Sequence, residues 1–228
     1  MPSYARKHQL QQSLVYHAFS RSNGRRSIFS KSEDFEYFKT LLHGYSIKFG
    51  SRVYHWVIMS NHYHLVIEFE CPELISKFMA GLHRAYSHYH HKQYGTTGFL
   101  WQGRFKLQPI QKDLYLNSCG RYVERNPVRA GMVVEAYEYP YSSARFYCTG
   151  QEDKVTQISP VFQDFGRDTA TRQNAYKEFL ETFDSEEEKY FSNIEVPYGN
   201  QEFVRRLIKI GEHFLPRRQG RKAAIFLT

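Results

Sequence analysis

The sequence predicts an α+β fold: an antiparallel sheet covered by helices, followed by a small, mostly helical C-terminal segment. Three observations predict it. Apolar runs of period two alternate with segments of helical periodicity, in the order strand, helix, strand, strand, helix, strand, helix. Only Ser60-Asn61 separates the second and third strands, which makes them an antiparallel hairpin. With 41% hydrophobic and 17% aromatic residues among 228, the chain has enough apolar surface for a sizeable core. The element order is that of a ferredoxin-like layer.

Leu14 to Ser20 forms the first strand and runs into Arg21-Ser22-Asn23-Gly24-Arg25-Arg26, an Asn-Gly turn set among three arginines. Ser32 offers an N-cap for a helix in which Phe38, Leu41, Leu42 and Tyr45 recur at helical spacing, and Gly50 ends it. Val53 to Met59 is β-branched, aromatic and nearly continuous, hence a buried central strand. His62 to Phe69 pairs back against it. Pro72 suits the first turn of a long helix whose buried stripe is Ile75, Phe78, Met79, Leu82, Tyr86 and Tyr89. Gly95 and Gly98 bound a loop, and Arg104 to Ile110 alternates as a further strand. Residues 113–126 read as a helix that Pro127 should stop, with Asn126 as its last or capping residue.

Charge divides the chain. Residues 1–150 carry 19 Lys/Arg against 10 Asp/Glu, residues 151–200 carry 5 against 11, and residues 201–228 carry 7 against 2. A boundary is therefore expected at 150, with 1–150 as the functional domain and 151–228 as an appendage. Within the appendage, 175–183 reads as a short helix, Glu186 to Glu188 as a solvated acidic cluster, and 201–213 as a basic amphipathic helix. Arg217, Arg218, Arg221 and Lys222 form a basic tail. The appendage is expected to be solvated, with an auxiliary DNA contact as the alternative. A net charge of +8 suits a polyanionic partner. Three widely spaced cysteines fit a reducing compartment better than a disulfide framework. No apolar run approaches the ~20 residues of a membrane span, and no signal-peptide h-region is evident, so no membrane partner and a cytoplasmic location are expected.

Two pairs of residues carry the chemistry. Residues two apart on a strand face the same side, so His62 and His64 project together, roughly 7 Å apart at the backbone, and can chelate one divalent cation. Such a pair is also common among ordinary strand residues. Tyr122 and Asn126 share a helix face, roughly 6 Å apart along the axis. A cation held by His62, His64 and Asn126 would keep positions open for phosphate oxygens, with Tyr122 placed to attack phosphorus. Tyr115 faces similarly but lies roughly 16 Å from Asn126 along the axis, too far to share that centre.

Combined, these segments resemble the single-tyrosine HUH transposases, and most closely their bacterial branch of REP-associated tyrosine transposases. The resemblance covers roughly 13–147. It rests on Ser60-Asn61-His62-Tyr63-His64-Leu65, Leu100-Trp101-Gln102-Gly103-Arg104-Phe105, Arg121-Tyr122-Val123-Glu124-Arg125-Asn126-Pro127-Val128-Arg129-Ala130-Gly131 and Tyr139-Pro140-Tyr141-Ser142-Ser143. It implies an HUH nuclease core that cuts and joins single-stranded DNA at hairpins of repetitive extragenic palindromes. The implied route is a 5′-phosphotyrosine with Mg²⁺ or Mn²⁺, Tyr122 as nucleophile, His62, His64 and Asn126 as ligands, and a nucleoid-associated location. Asparagine stands where insertion-sequence relatives usually carry glutamine, as in the repeat-associated branch, and Ser60 stands where many relatives carry proline.

Arg21, Arg25, Arg26, Arg104, Lys106 and Arg129 are expected to hold the DNA, and Trp101 or Phe105 to stack on an unpaired base. For Trp101 the alternative is a core position, and for Arg129 a cap on the helix end. Two rival functions remain open on the sequence: a non-cutting binder of DNA hairpins, and a zinc hydrolase built on the histidine pair. Whether the site forms within a monomer or across a homodimer is also open.

Overall fold

The computed structural model describes residues 10–11, 14–182, 184–192, 194 and 197–210. Strands β1 (Val15–Arg21), β2 (Ser51–Met59), β3 (His62–Phe69) and β4 (Lys106–Ile110) form one sheet in the order β2-β3-β1-β4, with every pairing antiparallel. This is the ferredoxin-like order predicted. Helices α1 (Ser32–Phe49) and α2 (Ile75–Tyr94) cover one face, and α3 (Leu114–Glu124) with the short α4 (Asn126–Arg129) covers the other. Among the described residues four further α-helices follow: α5 (Ala144–Thr149), α6 (Thr169–Glu181), α7 (Ser185–Ser192) and α8 (Gln201–Ile210).

Strand alternation sorts the side chains. Tyr16, Ala18, Trp56, Ile58, Tyr63, Leu65 and Ile67 point into a core with Phe38 and Leu42 of α1 and Phe78, Met79, Leu82 and Tyr86 of α2. Their neighbours Val15, Val57, Met59 and Val66 point the other way, onto Leu116, Cys119 and Val123 of α3. His17, Phe19, His62 and His64 belong to this second face by the same period. His55 shares that face with Val57 and Met59, and a register shift between Val53 and His55 turns Val53 into the first core and Tyr54 into the second.

Three boundaries differ from the sequence reading. Ser32 is the first helical residue of α1, not its cap. Asp34 reaches back to accept from the amides of Ser30 at 2.9 Å and Lys31 at 3.0 Å, and also from Tyr94 Oη at 2.6 Å and Tyr89 Oη at 3.1 Å. Strand β4 begins at Lys106, leaving Arg104 in the preceding loop. Helix α3 ends at Glu124, and the chain continues through Arg125 into α4, because proline is tolerated in a first helical turn where its missing N–H is not needed. The Asn126 amide does cap α3, as Nδ2 donates to the carbonyls of Tyr122 at 3.1 Å and Val123 at 3.0 Å.

Asp34 gives a testable stability contribution. Burial pushes its carboxyl up, but hydrogen bonds from Tyr94, the Lys31 and Ser30 amides, and Tyr89 outweigh that and hold it below the ordinary value. A carboxylate held below its unfolded pKa stabilises the fold above that pKa and loses the effect as pH falls through the folded one. Asp34→Ala should therefore cost about 2 to 4 kcal/mol at neutral pH. Denaturant melts should show the gap from the unmodified protein narrowing in acid. A gap independent of pH would remove Asp34 from this role.

Residues 151–210 do not stand apart as an appendage. Trp56 Nε1 donates to Thr156 Oγ1 at 2.9 Å. Tyr198 exchanges backbone hydrogen bonds with the β4 edge, its N–H reaching Pro109 O and its carbonyl accepting from Gln111 N, each at 2.9 Å. Phe203 and Leu207 enter the first core, and Phe191 and Tyr198 the second. The physical reason is that the β4 edge and the apolar parts of the α3 face need cover, and this segment supplies it. The expected helix at 175–183 is α6, which begins earlier. Phe183, residues 211–213 and the basic tail from Arg217 to Lys222 lie outside the described residues. Among the described residues no helix is long and apolar enough to cross a membrane.

Candidate active site

Pairing of β1 with β3 sets Phe19 opposite His64 and Arg21 opposite His62, so both histidines share one face near the end of the central strands. Their ring centroids are 5.3 Å apart at 81°. From above, α3 brings the Tyr122 ring to 5.8 Å from His64 and 5.8 Å from His17. Asn126 follows one turn later, and all four predicted residues line one open cleft of about 520 Å³. Arg21, Lys106 and Arg129 line it too, with Phe19, Met59, Phe191 and Ile194 as its apolar walls.

The register of α3 is fixed from its opposite side. The buried Glu124 carboxylate accepts from Ser143 Oγ at 2.5 Å and Tyr176 Oη at 2.8 Å, and lies 2.9 Å from His55 Nδ1. Gly120 lets the helix approach that closely, since a Cβ there would meet the His55 ring at 2.7 Å. Strand β2, the start of α5, and α6 thus converge on the residue midway between Tyr122 and Asn126.

The donor atoms fit a divalent cation. His62 Nδ1 is engaged by Asn61 Oδ1 at 2.6 Å, and His64 Nδ1 by His17 Nε2 at 2.7 Å, so Nε2 is the other ring nitrogen of each, and the Asn126 side chain also hydrogen-bonds His62. With Nδ2 of Asn126 spent on backbone carbonyls, its Oδ1 is the remaining donor. Two imidazole nitrogens and an amide oxygen form a neutral set that can ligate one divalent cation and leave positions open. The lining holds three cationic side chains and no carboxylate; Glu188 pairs with Arg129 from outside the lining, and the remaining positive charge suits a phosphate. Among the described residues no three His, Cys, Asp or Glu side chains form a group that could hold a metal ion, so the third strong ligand of a zinc hydrolase is not found there.

Burial, with Arg21 second, pushes His62 down to about 4, against a smaller opposing effect of Asn126, and Arg129 lowers it further. Burial also holds His64 well below its ordinary value, with His17, His62, Arg129 and Arg21 adding to the effect. Both rings are therefore neutral at neutral pH, as ligation requires. Burial raises the Tyr122 phenol, and Arg129 offsets part of this through its charge and a hydrogen bond. The Arg129 guanidinium carbon lies 4.1 Å from the Tyr122 ring centroid.

The expected DNA contacts divide. Arg21, Lys106 and Arg129 reach the cleft, whereas Arg25 and Arg26 are exposed on the turn at Asn23–Arg25 beyond it, and Arg104 is exposed in the loop before β4. Trp101 and Phe105 require correction. Both are buried in the core between the sheet and α1–α2, and Trp101 stacks on His83 at 4.3 Å while its Nε1 donates to His83 O at 3.2 Å. Neither presents a face to an unpaired base, and the core alternative for Trp101 holds.

The acidic cluster is not merely solvated either. Glu187 pairs with Arg121 at 2.5 Å and Glu188 with Arg129 at 3.3 Å, which lays α7 against the site and sets Phe191 5.0 Å from the Tyr122 ring. Three contributors escaped the sequence reading: His17, Gln108 and Phe191. His17 and Gln108 sit on strands that sequence alone does not pair, and Phe191 lies in the segment expected to be separate.

The sequence profile of the family described as Transposase IS200 like matches residues 10–126, a span that contains both histidines and ends on Asn126. Among solved structures, a REP-associated tyrosine transposase bound to a REP hairpin is similar in fold. The TM-score is 0.56, with 17% sequence identity over 69% of this chain and 92% of that one. Nothing among curated proteins matches the chain.

Proposed function

This chain belongs to the IS200-like transposases, and on that premise we propose that it is a tyrosine endonuclease and strand transferase acting on single-stranded DNA at hairpin-forming repeats. One observation carries the reading: Tyr122, His62, His64 and Asn126, drawn from a strand and a helix about sixty residues apart, line one cleft with three cationic side chains. His62, His64 and Asn126 would hold the cation, Mg²⁺ or Mn²⁺. When bound, it supplies Lewis-acid polarisation of the scissile phosphodiester.

The remaining chemistry belongs to the chain. Arg21, Lys106 and Arg129 hold the phosphate and favour charge that develops on its oxygens. Tyr122 Oη attacks phosphorus. The phosphorus–oxygen bond to tyrosine forms as the bond to the preceding nucleotide's 3′ oxygen breaks, the phenolic proton leaves to solvent, and the 3′ oxygen takes one up. The product is a 5′-phosphotyrosine and a free 3′ hydroxyl. A phenol is a fair leaving group, so attack by a 3′ hydroxyl reverses the step and joins strands without an external energy source. Phe191 and Phe19 wall the site and limit water, which would otherwise discard the stored bond.

The proposal is tested by incubating the protein with Mn²⁺ and labelled hairpin oligonucleotides carrying an unpaired flank. A denaturation-resistant adduct should form and map to the Tyr122 peptide. Cleavage with no adduct would overturn the mechanism, and binding with neither cleavage nor adduct would identify a non-cutting hairpin binder. The partner assignment has its own test in affinity. Hairpins with an unpaired flank should bind more tightly than blunt duplex, and each phosphate contact should contribute a slope of roughly −0.7 to −0.9 in log K against log salt. Equal affinity for both, or no salt dependence, would count against single-stranded repeat DNA.

A further inference from the structure

Behind His64, away from the cleft, lies a second pair of polar side chains in an otherwise apolar part of the sheet. His17 on β1 stands opposite Gln108 on β4 and diagonal to His64 on β3, all on the α3 face. Both are fully buried. The three side chains form a line: His64 Nδ1 to His17 Nε2 at 2.7 Å, and His17 Nδ1 to Gln108 Oε1 at 3.3 Å. The His17 and His64 rings stack at 5.0 Å and 19°.

Donor and acceptor rules leave this line one direction. The Tyr190 carbonyl can only accept, so the Gln108 atom facing it, at 3.4 Å, must be the amide nitrogen, and Oε1 faces His17. An amide oxygen accepts only, so His17 carries its proton on Nδ1 and its Nε2 is a bare acceptor. His64 must then donate from Nδ1, which leaves the lone pair of its own Nε2 directed away from the line. We propose that Gln108 and His17 are positioning residues that hold His64 in the Nδ1–H tautomer with Nε2 presented bare to the cleft. This deepens the function proposed above and rests on it only for the use made of that lone pair. His62 reaches the same state more simply, through Asn61 Oδ1. A free imidazole prefers its proton on Nε2, so without a lock His64 would spend part of its time unable to ligate.

The tautomer can be read without any metal. Long-range proton–nitrogen correlation spectra of histidine-labelled, metal-free protein distinguish a protonated from a bare ring nitrogen. The unmodified protein should show Nδ1–H at His64. Gln108→Leu and His17→Leu should shift the population toward Nε2–H, with Mn²⁺ alone, followed by electron paramagnetic resonance, binding about 10 to 100-fold more weakly. Backbone amide spectra of α1 and α2, remote from the substitution, establish that each variant is folded. Should His17→Leu fail to fold, Gln108→Leu still decides, since it removes the acceptor at the end of the line, together with the bond to the Tyr190 carbonyl, and leaves both histidines in place. Nε2–H at His64 in the unmodified protein, or an unchanged Nδ1–H in Gln108→Leu, overturns the proposal. The predicted tautomers with no Mn²⁺ binding in any protein would leave the relay standing and count instead against the cation assigned to this site.

Discussion

Tyr122→Phe should lose both cleavage and the covalent adduct, by at least about a thousandfold, while hairpin affinity stays within severalfold of the unmodified protein. The substitution keeps the ring and removes only its oxygen. The ring contacts it retains are those with His17, His64 and Phe191 and the Arg129 guanidinium above its face. The fold should therefore barely notice. Chemistry should, because Tyr122 is the tyrosine whose ring lies beside His64 at the cleft. Tyr115, the other candidate on α3, packs edge-on against Tyr198 at 5.0 Å in the second core and does not line the cleft. Tyr115→Phe should cut normally and carry no adduct at residue 115. Efficient cutting by Tyr122→Phe, or an adduct elsewhere, would sink the nucleophile assignment.

Much of this was legible in the sequence because the signals are local. The strand and helix periods set which residues share a face, and that sufficed to place His62 with His64 and Tyr122 with Asn126. Helix ends were less legible. Pro127 disfavours a helical residue before it, yet a proline also fits a first turn, and here the chain re-enters a helix directly. The acidic stretch at 186–188 misled for a different reason. Charge composition suggests a solvated boundary, but Arg121 and Arg129 on the opposing helices make the same carboxylates good partners across the site. Trp101 and Phe105 show the limit for aromatic residues: a ring near arginines in sequence suits stacking or a core equally, and only the packing decides. His17 was invisible because its role depends on which strands are neighbours. A single histidine in an apolar strand announces neither His64 beside it nor Gln108 opposite.

The histidine pair gives the second large effect, and its two members should be separable. His62→Ala and His64→Ala should each reduce Mn²⁺-supported cleavage by more than the about 10 to 100-fold expected for losing a supporting residue, since each removes a ligand itself. Their stabilities should differ. His62 is partly exposed and its Nδ1 partner, Asn61, can turn to water, so His62→Ala should melt close to the unmodified protein. His64 is buried between Phe19 at 4.7 Å and His17 at 5.0 Å. Its removal leaves a cavity and strands His17 Nε2 as a buried acceptor, a combined cost of about 2 to 4 kcal/mol. Hairpin affinity should survive in both, because the cationic side chains remain. Denaturant melts, anisotropy titrations and nicking assays on the same preparations separate these effects: lost activity in a stable, DNA-binding His62→Ala protein cannot be assigned to unfolding. Undiminished cleavage by either variant would remove the paired-histidine site, and with it the reason for two neutral imidazoles in a cleft lined by three cationic side chains.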